Sequence, residues 1–531
     1  MTEAVSDVVI LGGGHNGLVC AFYLARAGLK VTVLERRHVV GGAAVTEEFH
    51  PGFRNSTASY TVSLLNPRVI ADMDLPRHGL RVVERRMSNF LPLPDGDSFC
   101  AGEGRTRSEV ARFSTRDAER LPEYERRLEV VAAVLRDWIL RAPPNVAADG
   151  SGGGWLAMLP ELLSAGSLGR RAAGLGTQGR RDLLDLFTKS AGDWLDGWFE
   201  SDPIKGLFGF DSVVGNYASP YTPGSAYVLL HHVFGEVNGR KGVWGHAIGG
   251  MGAITQAMAA ACADAGVDIR LDTPVASVLT ERGRAVGAVT ERGDVVRGRV
   301  VVSNLHPRLL FDRLVDPAVV PADFTERMAR YGSGSGTFRM NVALSELPRF
   351  TSRPKPGDHH TAGIIIAPSL AYMDRAHASA RLDGWSREPV VEMLIPSTLD
   401  DTLAPPGQHV ASLFCQHVAP DLADEQREAV ADRMIETIDA HAPGFKASVI
   451  GRLALGPRDL EQRFGLVSGD IFHGRLTLDQ LFSARPVLGH ADHRMPVPGL
   501  YLCGSGAHPG GGVTGAPGHN AAKAILKDLR R

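Results

Sequence analysis

The stretch "DVVILGGGHNGLVCAFYLARAGLKVTVLE", residues 7–35, decides how this chain folds. "DVVIL" is a short, β-branched apolar run of the kind that forms a parallel strand buried on both faces. Three glycines follow with fixed spacing, Gly12-x-Gly14-x-x-Gly17. Leu18, Ala21, Phe22 and Ala25 then recur at i, i+3, i+4 and i+7, one apolar face of a helix. Gly28 suits the helix end, and "KVTVLE" reads as a second strand that stops on Glu35.

A strand, a Gly-x-Gly-x-x-Gly turn, a helix and a second strand ending on an acid form the dinucleotide-binding βαβ unit. Gly12 permits the tight turn, Gly14 lets the backbone approach a pyrophosphate, and Gly17 lets helix and strand pack closely. The helix N-terminus offers N–H groups and the positive end of its dipole to phosphates. Glu35 would accept hydrogen bonds from ribose hydroxyls. An acid there disfavours a 2′-phosphate, so NADP is set aside and FAD and NAD remain.

At 531 residues the chain exceeds one hydrophobic core, and two to four domains are expected. Its 44% apolar and 22% charged residues are ordinary for a globular protein, and a net charge of -2 gives no reason to expect a nucleic-acid partner. The five cysteines are odd in number and widely spaced, without a CxxC pair, which argues against a disulfide framework, a dithiol centre or zinc. The pairs His231-His232 and His359-His360 are adjacent, so their rings face different ways, and no metal is expected. The N-terminus has no basic region before its first strand, and no stretch approaches 18 apolar residues. A cytoplasmic protein without a transmembrane segment is expected. "WLAMLPELLSAGSLGRRAAGLG", residues 155–176, leaves a peripheral membrane contact open, although a core helix interrupted at Pro160 is the favoured reading. "AADGSGGGWLAM" before it reads as a connector.

Beyond Glu35 the chain continues "RRHVVGGAAVTEEF". The Glu35-x5-Gly41-Gly42 pattern resembles the FAD-dependent amine oxidases and phytoene desaturases. In that superfamily these glycines pass close to the FAD phosphates and flavin. Many members follow them with arginine, where this chain has Ala43, so the resemblance does not carry over that one phosphate contact. "RNSTASYTVSLLNP" (54–67), "SPYTPGSAYVLLHHVFG" (219–235), "DLEQRFGLVSGDIFHG" (459–474), "LDQLFSARP" (478–486) and "GLYLCGSGAHPGGGVTGAPGHNAA" (499–522) narrow the resemblance. Together they resemble the pyridine nucleotide-disulphide oxidoreductase domain-containing protein 2 family, over nearly the whole chain. The cysteine pair of true disulfide reductases is missing. "GGMG" (249–252) is not followed by an acid-terminated βαβ unit, so no separate nicotinamide domain is expected.

The resemblance implies an α/β fold with an FAD-binding Rossmann-like domain of the GR2 type, and a discontinuous α+β substrate domain. The FAD domain would use 1–80, 240–310 and 488–531, and the substrate domain 81–239 and 311–487. Cofactor contacts would come from Gly12, Gly14, Asn16, Gly17, Glu35, Arg37, Gly41, Gly42, Val275, Gly504, Gly511, Gly512 and Val513. Val275 would meet the adenine through its backbone. "GGGVTGAPGHNAAKAI" (510–525) would lie under the flavin, where a helix N-terminus stabilises the charge of the reduced ring.

For the companion proton of a hydride transfer, His508 is the first candidate, followed by His473 and Tyr60, since an imidazole titrates near neutrality. The activity implied is dehydrogenation, or saturation in reverse, of an apolar small molecule. The electron acceptor would be oxygen, a quinone or another carrier. Amine oxidation ranks second, because aromatics make up only 7% and no Trp or Tyr pair lies near the C-terminal loop. A flavin-free binding or regulatory protein of the same fold ranks third.

Overall fold

The computed structural model describes residues 3–145, 166, 169–170 and 173–530. Most of the 155–176 segment and its preceding connector lie outside the described residues.

The first strand, Glu3–Leu11, sits in a sheet of seven. It pairs in parallel with Val31–Leu34 on one side and Val295–Ser303 on the other. Asp268–Arg270 extends the sheet beyond Val31–Leu34, also in parallel. On the opposite edge, the start of Val295–Ser303 pairs antiparallel with Arg284–Thr290, which pairs in turn with Val275–Glu281. The end of Val295–Ser303 takes up Leu500–Leu502 in parallel. The chain therefore completes at residue 502 the sheet that it began at residue 3.

The "VVIL" run explains this central position. Its side chains alternate between two faces, and both faces are covered. Val8 and Ile10 pack with Leu18 of the first helix, His15–Arg26, with Ile254 of the helix Met251–Asp264, and with Ile525 of the C-terminal helix, Ala516–Leu529. Val9 and Leu11 pack on the other face with Val278, Leu310 and Leu502. Gly28 has φ 88 directly after the first helix, in the left-handed region that lets a helix end turn away.

A second sheet of seven strands runs Val449–Leu455, Thr337–Leu344, His409–Val418, Trp385–Leu394, Gly363–Ile366, Asn89–Pro92 and Ser98–Ala101. Its pairings are antiparallel except between Gly363–Ile366 and Asn89–Pro92. Ile365, Val390 and Phe414 pack against a helical layer that includes Thr115–Ile139, Asp202–Val213 and Ser225–His232. Phe338 and Met340 face the helix Arg427–His441 instead. Asn341, next along that strand, donates to the Ser56 carbonyl at 3.0 Å and so ties this sheet to the segment after Gly42.

All five cysteines are buried and unpaired. Among the described residues, no helix is long and apolar enough to cross a membrane, and no cluster of His, Cys, Asp and Glu could hold a metal.

Candidate active site

One cleft runs between the two sheets, with about 2080 Å³ of empty space counted to its open mouth. Its floor is the glycine turn. Gly12 has φ 92, which favours glycine, and Gly14 caps the first helix without any side-chain cap. The helix N-terminus therefore presents bare N–H groups to the cleft, an arrangement suited to phosphate oxygens. Glu35 faces the turn, accepting from the backbone N–H of Gly13 at 2.8 Å and of Arg37 at 2.9 Å. A carboxylate has further lone pairs beyond those two bonds, and they remain for ribose hydroxyls.

Polar atoms without partners also mark this end. Asn16 Oδ1, His15 Nε2, Arg37 Nη1 and His473 Nδ1 are buried and lack hydrogen bonds within the protein. Buried polar groups normally find partners, and all four residues line the cleft. Glycines at 12, 14, 41 and 42, an acid at the strand end and these unmet groups fit a bound dinucleotide.

The first and last motifs close on each other. The His15 ring lies against the backbone of Gly512, and Asn16 Nδ2 donates to Ser505 Oγ at 3.2 Å. Gly512 has φ 95 and lines the cleft with Val513. The C-terminal helix starts at Ala516 with Pro517 in its first turn, where a missing N–H costs nothing.

Gly12, Gly14, Asn16, Glu35, Arg37, Gly41, Gly42, Val275, Gly512 and Val513 all border this one cleft. Gly17, Gly504 and Gly511 stand behind it as packing glycines. A Cβ on Gly17 would meet the Gly12 carbonyl, one on Gly504 would lie 2.6 Å from the Asn304 carbonyl oxygen, and one on Gly511 would meet Phe472.

The histidine expectations need correction. His508 does not line the cleft. Its Nε2 faces the Trp138 carbonyl at 3.3 Å and its ring lies 5.4 Å from Phe482. His473 does line it. Neither ring titrates near neutrality, because burial pushes both down to about 3, with a further contribution at His473 from nearby Arg485. A local sequence signal could not reveal this, since the loss of solvation comes from chain segments far away.

Sequence reasoning also missed Asn304, His306 and Arg485. Asn304 and His306 lie just past the strand Val295–Ser303, and both line the cleft. Arg485 is fully buried and donates to the carbonyls of Phe472, Gly474, Arg475, Gln480 and Ser505. It pins the 472–480 loop to the C-terminal loop. Arg485→Met is expected to cost about 3 kcal/mol, because several buried carbonyls lose a charged donor together. Denaturant titration of the two proteins measures this, and equal midpoints would refute it.

The far end of the cleft is apolar. Leu64, Val214, Trp244, Phe414, Ile471 and Phe472 line it, together with Tyr60 and His232. Tyr60 and Phe414 are stacked with ring centroids 5.2 Å apart. An aromatic wall is therefore present, although no Trp or Tyr pair adjoins the C-terminal loop in sequence. Residues 60, 244, 414 and 472 meet only through the fold.

Known proteins resemble this chain over nearly its whole length. The family described as "Flavin containing amine oxidoreductase" matches residues 17–526. "Pyridine nucleotide-disulfide oxidoreductase domain-containing protein 2" of Rattus norvegicus is 42% identical, over 99% of this chain and 94% of its own length. "Phytoene desaturase (lycopene-forming)" of Pseudescherichia vulneris is 24% identical over 99% of this chain and 100% of its own. Among solved structures, cyclohexylamine oxidase from Brevibacterium oxydans IH-35A superposes with a TM-score of 0.57 at 16% identity, covering 99% of this chain and 100% of that one.

Proposed function

We propose a function from one premise: the chain belongs to the flavin-containing amine oxidoreductase family. It is an FAD-dependent oxidoreductase with a small-molecule substrate and an electron acceptor. Within that activity, our reading is dehydrogenation of a carbon–carbon or carbon–heteroatom bond in a largely apolar molecule, or the reverse saturation.

The observation that carries this reading is the continuity of the cleft, which runs from the glycine turn and Glu35 into an apolar, aromatic chamber. Bound FAD supplies hydride acceptance and return. Around it, the bare N–H groups of the first helix would hold the pyrophosphate, and Glu35 the adenosine ribose. Val275 would border the adenine. The loop at Gly512 and Val513 would lie against the isoalloxazine. Phe414, Phe472 and Trp244 would exclude water from the reacting carbon. We also read 1–80, 240–310 and 488–531 as the cofactor unit, since the strands of the first sheet come from those ranges, and 81–239 with 311–487 as the substrate unit.

Purified protein is expected to show a flavin absorption band near ~450 nm. Anaerobic bleaching of that band against a panel of apolar alkenes, alcohols and amines would identify the substrate class. Reoxidation by oxygen or a quinone would identify the acceptor. A protein without the band would overturn the reading, and bleaching by amines alone would favour amine oxidation.

A further inference from the structure

The wall of the apolar chamber carries two adjacent hydroxyls. Tyr60 and Thr61 both line the cleft, and each is tied from behind to an ionisable side chain, the buried Glu392 and the half-buried Arg85. The Tyr60 phenol donates to Glu392 Oε2 at 2.5 Å. The Thr61 hydroxyl oxygen accepts from Arg85 Nη2 at 2.5 Å. The Tyr60 ring is also held by its stack on Phe414 and by the Arg339 guanidinium, 4.5 Å from the ring centroid. Arg339 is itself fixed by the Leu413 carbonyl at 2.5 Å and Ser412 Oγ at 2.8 Å. Neither hydroxyl can turn without breaking a charge-assisted bond in a desolvated place.

These bonds set what each hydroxyl still offers. A phenol whose hydrogen is committed to a carboxylate presents lone pairs. A threonine oxygen already accepting from a guanidinium presents its own hydrogen. Thr61 Oγ1 donates to the Gly245 carbonyl only at 3.4 Å, a long bond that a closer acceptor in the cleft would displace. One acceptor beside one donor complements a group that both donates and accepts, as a neutral hydroxyl does.

The charges behind the wall point the same way. Arg85 and Arg339 bring two positive charges against the one carboxyl of Glu392, which burial pushes up and these two guanidiniums pull back down. Asp211 is no counterweight, because burial pushes its carboxyl up to about 8 and leaves it neutral at pH 7. An ammonium would approach a wall with excess positive charge. A hydrocarbon would leave both hydroxyls unmet, which carries a desolvation cost.

We propose that Tyr60 and Thr61 form a hydroxyl-binding pair, and that the cleft takes an alcohol, one hydroxyl on an otherwise apolar body. This rests on reading the chamber as the substrate site of a flavin enzyme and narrows its substrate class.

The test is calorimetric titration of the full-length, FAD-loaded protein with 1-octanol, octylamine and octane. Octanol is expected to bind at least about tenfold more tightly than the other two. Tyr60→Phe and Thr61→Val should each weaken octanol by about tenfold, roughly one hydrogen bond, and leave octane unchanged. Both substitutions nearly conserve volume, and an unaltered flavin band confirms that each variant is folded and loaded. Octylamine or octane matching octanol, no octanol binding up to its solubility, or both variants binding octanol as the parent does would overturn the proposal. A protein that prefers octanol but lacks a flavin band would sink the flavin reading and leave the hydroxyl pair standing.

Discussion

Gly14→Glu is expected to give a folded protein that purifies without FAD. The backbone at Gly14 has φ -70 and ψ 167, which any residue adopts. A carboxylate beside a helix N-terminus favours the helix, so the fold should survive. The cofactor should not. A Cβ at this position would lie 2.5 Å from Asn304 Nδ2, so that amide must shift, and the new carboxylate would project into the cleft at the place suited to phosphate. A negative charge set against a pyrophosphate in a desolvated site costs about 3 kcal/mol or more, a loss of about a hundredfold in affinity. The ratio of flavin to protein absorbance reads the loading, and circular dichroism reads the fold. Gly14→Ala separates charge from bulk, because a methyl group needs only the Asn304 amide to move. Glutamate protein that retains full FAD would show that the pyrophosphate does not lie at this turn.

The second large effect is acid lability. Burial holds His15, His232 and His493 neutral down to about 4, and His231, His417, His473 and His508 down to about 3. Six of these rings, all but His232, also have a buried nitrogen without a partner. An unfolded chain protonates its histidines from about 6.5 downward. Between about 6.5 and 4 the unfolded state therefore binds protons that the folded state refuses, and stability falls as pH falls. Each ring contributes about 1.4 kcal/mol per pH unit below 6.5. Several acting together remove on the order of 5–10 kcal/mol by pH 5.5, comparable to the whole stability of a domain. The melting temperature should be nearly level between pH 7 and 8 and drop steeply below 6.5, with FAD released in the same range. A level profile down to pH 5 would mean that these rings take up protons inside the fold.

The same burial changes how the chemistry is understood. From the sequence, a histidine near the flavin loop is an attractive base because free imidazole titrates near neutrality. His508 loses that role twice over, by facing Trp138 and Phe482 rather than the cleft and by being desolvated. Tyr60, ranked with His473 below His508 on sequence grounds, lines the cleft and is held by Glu392 and Arg339. The resulting view is of a cleft with charged residues such as Glu35 and Arg37 in its lining, and an apolar chamber whose histidines are held neutral.

The residues by themselves determined the dinucleotide half of the site. The alternation of Val8 to Leu11, the spacing of Gly12, Gly14 and Gly17, and the acid at Glu35 are local patterns with local causes: a pleat, a tight turn and a helix terminus. The return of the C-terminal segment to the first sheet was legible only through the family resemblance, which assigns residues 488–531 to the FAD domain; Leu500–Leu502 does pair with that sheet. Only the tertiary structure decided the other half. Tyr60, Trp244, Phe414 and Phe472 share no sequence period, and they meet because the second sheet and the 472–480 loop cover the first sheet's cleft. Arg485 gathers carbonyls only 5–20 residues away, through the folded path of its loop, but whether a histidine is a base and whether a hydroxyl offers a proton or a lone pair depend on solvation and on partners brought in by the fold. Neither is encoded in any short window of the chain.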